Sequence, residues 1–81
     1  MIAVGRDFAE AVLREALRLQ KDYPEAVNNL GIVLVQMGRC DEGVTHYTEA
    51  LRLKPDYPEA HMNLSLSLLA IVDYLSGDWD A

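Results

Sequence analysis

The sequence has little of what usually holds a small domain together. Cys40 is its only cysteine, which excludes an internal disulfide and a metal site built from cysteines. Sparse cysteine is typical of a reducing compartment, so we expect a cytoplasmic protein. The chain of 81 residues is long enough for one domain at most, and a core of that size is only marginally stable without covalent or metal links.

Basic residues and long apolar runs are also scarce. The 7 lysines and arginines are scattered among 13 acidic residues, giving a formal charge of −6. Because phosphate binding needs a clustered basic surface, this distribution argues against a nucleic-acid partner. The N-terminus lacks the pattern of a signal peptide, and the longest nearly apolar run, 64–72, is far too short to span a bilayer. We therefore expect no membrane partner.

The feature that the sequence does contain is an internal repeat. The five residues Asp-Tyr-Pro-Glu-Ala at 22–26 recur at 56–60, which is 34 residues later. At the same spacing, 12 of the 16 residues from 15–30 recur at 49–64. A period of this length is typical of a solenoid, in which each repeat buries its apolar face against its neighbours.

Apolar residues at helical spacing predict four helices and no sheet. The predicted ranges are 8–20, 24–37, 42–53 and 60–75. Asp7 and Asp41 are the predicted N-caps of the first and third helices. Pro24 and Pro58 suit the first turns of the second and fourth helices, and Gly38 is expected to end the second.

Residues 24–57 resemble a tetratricopeptide repeat. The resemblance rests on seven positions of the 34-residue pattern, namely Leu30, Gly31, Leu34, Gly43, Tyr47, Ala50 and Pro55. The small residues Gly31, Gly43 and Ala50 let two antiparallel helices approach closely, and Leu30, Leu34 and Tyr47 fill the space around that contact. Because the family usually has alanine where Gly43 stands, we expect Gly43→Ala to stabilise the fold.

The resemblance implies an all-α, antiparallel helix-turn-helix solenoid of about four helices in a single domain, 1–81. Residues 1–23 resemble the second helix of a preceding unit, 24–57 a complete repeat, and 58–81 the first helix of a following unit. The similarity is greatest to the long arrays of O-linked N-acetylglucosamine transferases and their bacterial relatives. The sequence assigns no role to Trp79.

In this family the first helix of each unit lines a concave surface where extended peptides or partner helices dock, so the resemblance implies such a groove here. Asn29 and Asn63 share the sixth position of successive first helices, and a carboxamide pairs with the backbone of any peptide. Glu25 and Glu59 favour a neutral or basic segment, although they also complement the helix dipoles. The predicted groove residues are Glu25, Asn28, Asn29, Ile32, Glu59, Met62, Asn63 and Leu66.

No catalytic, metal or cofactor site is predicted. Cys40 and His46 are six residues apart across a helix start, so they do not share a face as a nucleophile and base would. The resemblance implies a non-catalytic module or scaffold that binds a protein or peptide. Two alternatives stay open: a fragment of the substrate-recognition array of a glycosyltransferase-like enzyme, and a self-assembly unit.

The fourth predicted helix is apolar on nearly all sides, and such a helix is normally buried on all sides. Its residues Leu66, Leu69 and Val72 lie away from the face that meets the third helix. Leaving them in water would expose a larger apolar patch than soluble monomers usually have. We therefore predict self-association through these residues to a homo-oligomer, of which a dimer is the commonest closed form.

Overall fold

The computed structural model describes residues 2–20 and 22–76, which form four α-helices without a strand among them. The helices are α1 (Ile2–Leu19), α2 (Pro24–Gln36), α3 (Cys40–Leu53) and α4 (Pro58–Ser76). Each helix packs against the next one in the chain, and α2 also contacts α4. This is the predicted all-α helix-turn-helix solenoid. Trp79, to which the sequence assigns no role, lies outside the described residues.

The core lies between α2, α3 and α4. Leu30 and Leu34 of α2 are fully buried, and Tyr47 and Ala50 of α3 pack beside them. These are four of the positions that carry the resemblance to the repeat, and their predicted packing role is confirmed. A neighbouring apolar cluster joins the three helices to α1 and consists of Val27, Ala50, Tyr57 and Ala60 with Leu17, Leu51 and Leu53 packed against it.

The backbones of α2 and α3 approach closely at two glycines. A Cβ atom on Gly43 would lie 2.5 Å from Val35 Cγ2 and 3.0 Å from the carbonyl oxygen of Gly31. A Cβ atom on Gly31 would lie 2.6 Å from the Tyr47 ring. The structure therefore argues against a stabilising Gly43→Ala substitution, because the short, branched valine and the backbone carbonyl leave no room for the methyl group.

The turn between α2 and α3 depends on Gly38, which has a φ angle of +84°. The amide of Gly38 donates to the Val35 carbonyl at 2.9 Å, and the amide of Arg39 donates to the Leu34 carbonyl at 2.8 Å. This pair of hydrogen bonds is a Schellman motif, in which a left-handed glycine ends the helix at little steric cost. The predicted end of the second helix is confirmed.

Two predicted helix caps are wrong. The first helix begins at Ile2, so Asp7 lies inside α1 instead of at its N-terminus. The third helix has Arg39 as its N-cap residue without a side-chain cap hydrogen bond, and Asp41 lies in the first turn. There its carboxylate is positioned to interact with the positive end of the helix dipole, which favours the same residue type as capping does.

Arg39 ties the α2–α3 turn to α1, a contact that the sequence did not indicate. Its guanidinium lies 3.1 Å from Glu10 on α1 and 2.7 Å from Glu42 on α3. Hydrogen bonding from Arg14, together with the charge of Arg39, holds the pKa of Glu10 below its usual value. The ion pairs join three chain segments that are separated in sequence.

We predict that Gly43→Ala lowers the free energy of unfolding by about 1–3 kcal/mol, because the added methyl group overpacks the contact with Val35. Gly5→Ala is the matched control, since a Cβ atom at Gly5, the fourth residue of α1, meets nothing within 4 Å. That control should gain about 0.5–1 kcal/mol from helix propensity. Urea unfolding of both variants measures the difference; equal gains would mean that α2 and α3 do not touch at Gly43.

Candidate functional site

The N-terminal halves of α2 and α4 form the sides of a groove of about 630 Å³. Seven of the eight residues predicted from the sequence line it, together with Lys54 and Tyr57 from the end of α3 and the following turn. Leu66 is the exception, because it lies on α4 beyond the groove lining and is exposed. The lining residues are Glu25, Asn28, Asn29, Ile32, Lys54, Tyr57, Glu59, Met62 and Asn63.

Asn28 is the buried polar centre of this groove, with only 3% of its surface exposed. Its Oδ1 accepts a hydrogen bond of 3.1 Å from Asn63 Nδ2 on α4. Its side chain also interacts with the Tyr57 hydroxyl. Among the described residues, no buried side-chain nitrogen or oxygen lacks a hydrogen-bond partner. Asn28 therefore joins α2 to α4 from beneath the groove surface and satisfies its own polar atoms within the protein.

Asn29 and Asn63, which were predicted as equivalent contacts for a peptide, have different surroundings. Asn29 is exposed on α2, whereas Asn63 is half-buried on α4 and donates its amide to Asn28. The difference follows from position in the chain, because α4 has α2 beside it and α2 has no earlier first helix in the described part of the chain. Asn29 is thus the carboxamide with the greater capacity to bond a ligand.

The charged residues around the groove are mostly acidic. Lys54 Nζ lies 3.6 Å from a Glu25 oxygen and 4.8 Å from the centre of the Tyr57 ring, so this ammonium group partly neutralises one of the two carboxylates. Glu59 is exposed in the first turn of α4. Burial raises the pKa of the Tyr57 hydroxyl, and the nearby Glu25 and Glu59 carboxylates raise it further. The groove consequently favours neutral or positively charged groups.

Sequence reasoning missed Lys54 and Tyr57 as parts of the groove. Both belong to the turn that precedes α4, and the prediction considered only residues within the first helices. The available signal was the repeated Asp-Tyr-Pro-Glu-Ala segment, because Tyr57 repeats Tyr23 one period later. Tyr57 is buried against α2, whereas Tyr23 is 41% exposed.

The residues predicted for self-association lie on the outer surface of α4. Leu66, Leu69 and Val72 are 59%, 60% and 58% exposed, so each presents more than half of its side chain to solvent. Met62 and Leu68 of the same helix are also exposed. Their position leaves a long apolar surface on α4 that α3 does not cover.

Neither the cysteine nor the two histidines of the described residues belong to a group placed to bind a metal ion. Cys40 is partly buried at the start of α3, whereas His46 Nδ1 lies 2.8 Å from the carbonyl oxygen of Glu42 in the preceding turn. His61 Nε2 likewise lies 3.1 Å from the Pro55 carbonyl. No group of three or more His, Cys, Asp or Glu side chains in these ranges is placed to hold a metal ion. None of the helices described is both long and apolar enough to cross a bilayer.

Residues 33–71 match the family model described as TPR repeat. The match begins within α2, includes all of α3 and ends within α4. No curated protein matches the chain. The match to the family model and the helical-hairpin fold together support an assignment to the tetratricopeptide repeat family. Repeats of this family generally mediate protein–protein interactions and are typically non-catalytic.

We predict that Asn28 contributes to the stability of the fold and that the adjacent Asn29 does not. Asn28→Ala should lower the free energy of unfolding by about 1–3 kcal/mol, because it leaves the side-chain amide of half-buried Asn63 without its partner on α2. Asn29→Ala is the matched control and should change that energy by less than about 0.5 kcal/mol, since the side chain is exposed. Thermal or urea unfolding measures both. Equal losses would contradict the buried role of Asn28.

Proposed function

We propose that this chain is a protein–protein interaction module that binds an extended peptide in the groove between α2 and α4. The observation that carries the proposal is the exposed carboxamide of Asn29 beside the apolar side chains of Ile32 and Met62. The carboxamide offers a donor and an acceptor to a peptide backbone, and the apolar side chains offer contacts to alternate residues of the peptide. Glu25, Asn28, Glu59 and Asn63 also line the groove, and Leu66, which lies on α4 beyond the lining, stays part of the proposed site.

The chemistry of the groove favours a neutral or basic peptide. Glu25 has Lys54 nearby, but Glu59 lies exposed in the first turn of α4. A lysine or arginine of the ligand near Glu59 would gain an attractive interaction, whereas an acidic residue there would be repelled. An acidic peptide is therefore the discriminating negative control.

Two other functions remain candidates. The exposed apolar surface of α4 favours self-association, with a dimer as the first step and Leu66, Leu69 and Val72 in the contact. A substrate-recognition array of a glycosyltransferase-like enzyme would use the same peptide groove. We retain a cytoplasmic location, the absence of nucleic-acid and membrane partners, and the division into 1–23, 24–57 and 58–81 as parts of the proposal.

The experiment measures fluorescence anisotropy of a labelled, capped peptide of alternating lysine and valine. A peptide of about ten residues extends about 33 Å, which exceeds the spacing of about 10 Å between adjacent helices. We expect Asn29→Ala to weaken binding by about two- to tenfold through loss of a hydrogen bond, without change in helical content. Glu59→Gln should weaken binding of this peptide and also reduce its dependence on salt.

Thr48→Ala on the exposed side of α3 is the control variant and should bind like the wild type. Replacing every lysine of the peptide with glutamate should abolish measurable binding. If wild type, Asn29→Ala and Glu59→Gln bind the lysine peptide equally, or if the acidic peptide binds as well as the basic one, the groove is not the site.

A further inference from the structure

A second groove lies between α1 and α2, and the internal repeat indicates what it is shaped to hold. It encloses about 450 Å³, and its walls are almost entirely apolar. Phe8 and Val12 are 70% and 50% exposed on the α1 side. Its lining residues are Phe8, Ala9, Val12, Leu13, Asn29, Ile32 and Val33. We define this groove as the α1–α2 slot.

The place of α2 within the chain provides the comparison. Helix α2 lies against α3, where Gly31 and Val35 meet Gly43, and against α4, where Asn28 meets Asn63. The residues 34 positions before Gly43 and Asn63 are Ala9 and Asn29, and both line the slot. The slot is therefore the equivalent, one period earlier, of the site that α2 occupies.

The same spacing identifies the helix that fits. The α2 residues that make these contacts are Asn28, Gly31 and Val35. The residues 34 positions later are Met62, Ser65 and Leu69, which lie on α4. All three α4 residues are exposed. The outer surface of α4 thus repeats, one period later, the surface by which α2 fits between its neighbours.

We infer that α4 of one copy of this chain docks into the α1–α2 slot of a second copy and continues the solenoid from head to tail. The inference rests on the self-association proposed above and supplies its geometry. Such a contact joins two different surfaces, so a pair of chains leaves one slot and one α4 surface open, and further copies add at the ends. A two-fold contact between two α4 helices would instead close at the dimer.

The lengths of the outer helices agree with this junction. Helix α4 has 19 residues where α2 has 13, and α1 has 18 where α3 has 14. The extra residues of α4 are at its C-terminal end, and those of α1 are at its N-terminal end. Within the chain, the equivalent ends of α2 and α3 are joined by the turn at 37–39 and cannot be longer. Helices of different copies are not joined by a turn. The ends of α4 and α1 can therefore continue side by side as an antiparallel pair.

The side chains at the junction predict a weaker contact than the internal one. Ala9 and Ser65 replace the two glycines, but Leu13 replaces the Tyr47 ring that crowds Gly31, which leaves space for the Ser65 side chain. Met62 replaces Asn28, so Asn29 of the second copy meets a thioether instead of a carboxamide oxygen. Each copy also has a formal charge of −6, so salt should favour association by screening the repulsion.

The test uses two variants, each of which blocks one half of the junction. Leu69→Glu places a charge on the α4 surface, and Val12→Glu places one in the slot; both residues are at least half exposed, so the fold should persist. Circular dichroism verifies folding, and Thr48→Glu on the exposed side of α3 is the charge-matched control.

Sedimentation equilibrium from micromolar to submillimolar concentration then measures mass. We expect wild type and Thr48→Glu to exceed 9.1 kDa progressively, with no plateau at the dimer, and each blocked variant to stay at 9.1 kDa. Mixing the blocked variants should restore a pair of twice 9.1 kDa, because Val12→Glu keeps a functional α4 and Leu69→Glu keeps a functional slot.

Three results would overturn the inference. In the first, Val12→Glu dimerises alone and the two blocked variants do not combine. That result would indicate a two-fold contact through α4, and the chain would still self-associate. Blocked variants that do not combine while each stays monomeric would also exclude the head-to-tail junction. Wild type that remains at 9.1 kDa throughout would remove self-association as well and reserve the slot for a different partner.

Discussion

The close approach of α2 and α3 at Gly31 and Gly43 is the contact on which the rest of the structure depends. The absence of a Cβ atom at Gly31 lets the Tyr47 ring pack against the backbone of α2, and its absence at Gly43 leaves room for Val35. The Tyr47 hydroxyl also interacts with the side chain of Ser67, which is buried on α4. One aromatic side chain of α3 therefore contacts both α2 and α4, the two helices that form the groove.

The groove separates a stabilising polar contact from a surface that is available for binding. Asn28 and Asn29 are adjacent, but successive residues of a helix point about 100° apart, so one is turned under the surface and the other toward solvent. Asn28 joins the two helices that form the groove, and its hydrogen bond fixes the orientation of Asn63. A ligand at Asn29 would thus meet a preorganised surface, which reduces the entropy lost on binding.

The 34-residue repeat made the fold largely predictable, because the same residues recur in the same structural roles. The close helix pair, the glycine turn and most of the groove lining followed from it. The failures concern information that periodicity does not contain. The start of α1 at Ile2 displaced the cap predicted at Asp7, and the Val35 side chain decides that Gly43 has no room for a methyl group.

The groove shows the same limit of sequence reasoning. Asn29 and Asn63 share a position in the repeat, so the sequence predicts equal roles, yet the hydrogen bond to Asn28 makes Asn63 part of the α2–α4 contact. Whether a helix has a neighbour on each side is a property of the assembled solenoid. The same property leaves Tyr23 partly exposed while its repeat equivalent, Tyr57, is buried.

The central claim is that an extended peptide binds in the groove between α2 and α4. Titration of the isotopically labelled chain with the lysine–valine peptide, followed by amide chemical shifts in NMR spectra, tests it most directly. The account predicts that the largest shifts fall at 25–32 and 59–63 and include the side-chain amide of Asn29, with α3 residues 44–48 unchanged. Shifts concentrated on α3, with these two segments unaffected, would contradict it.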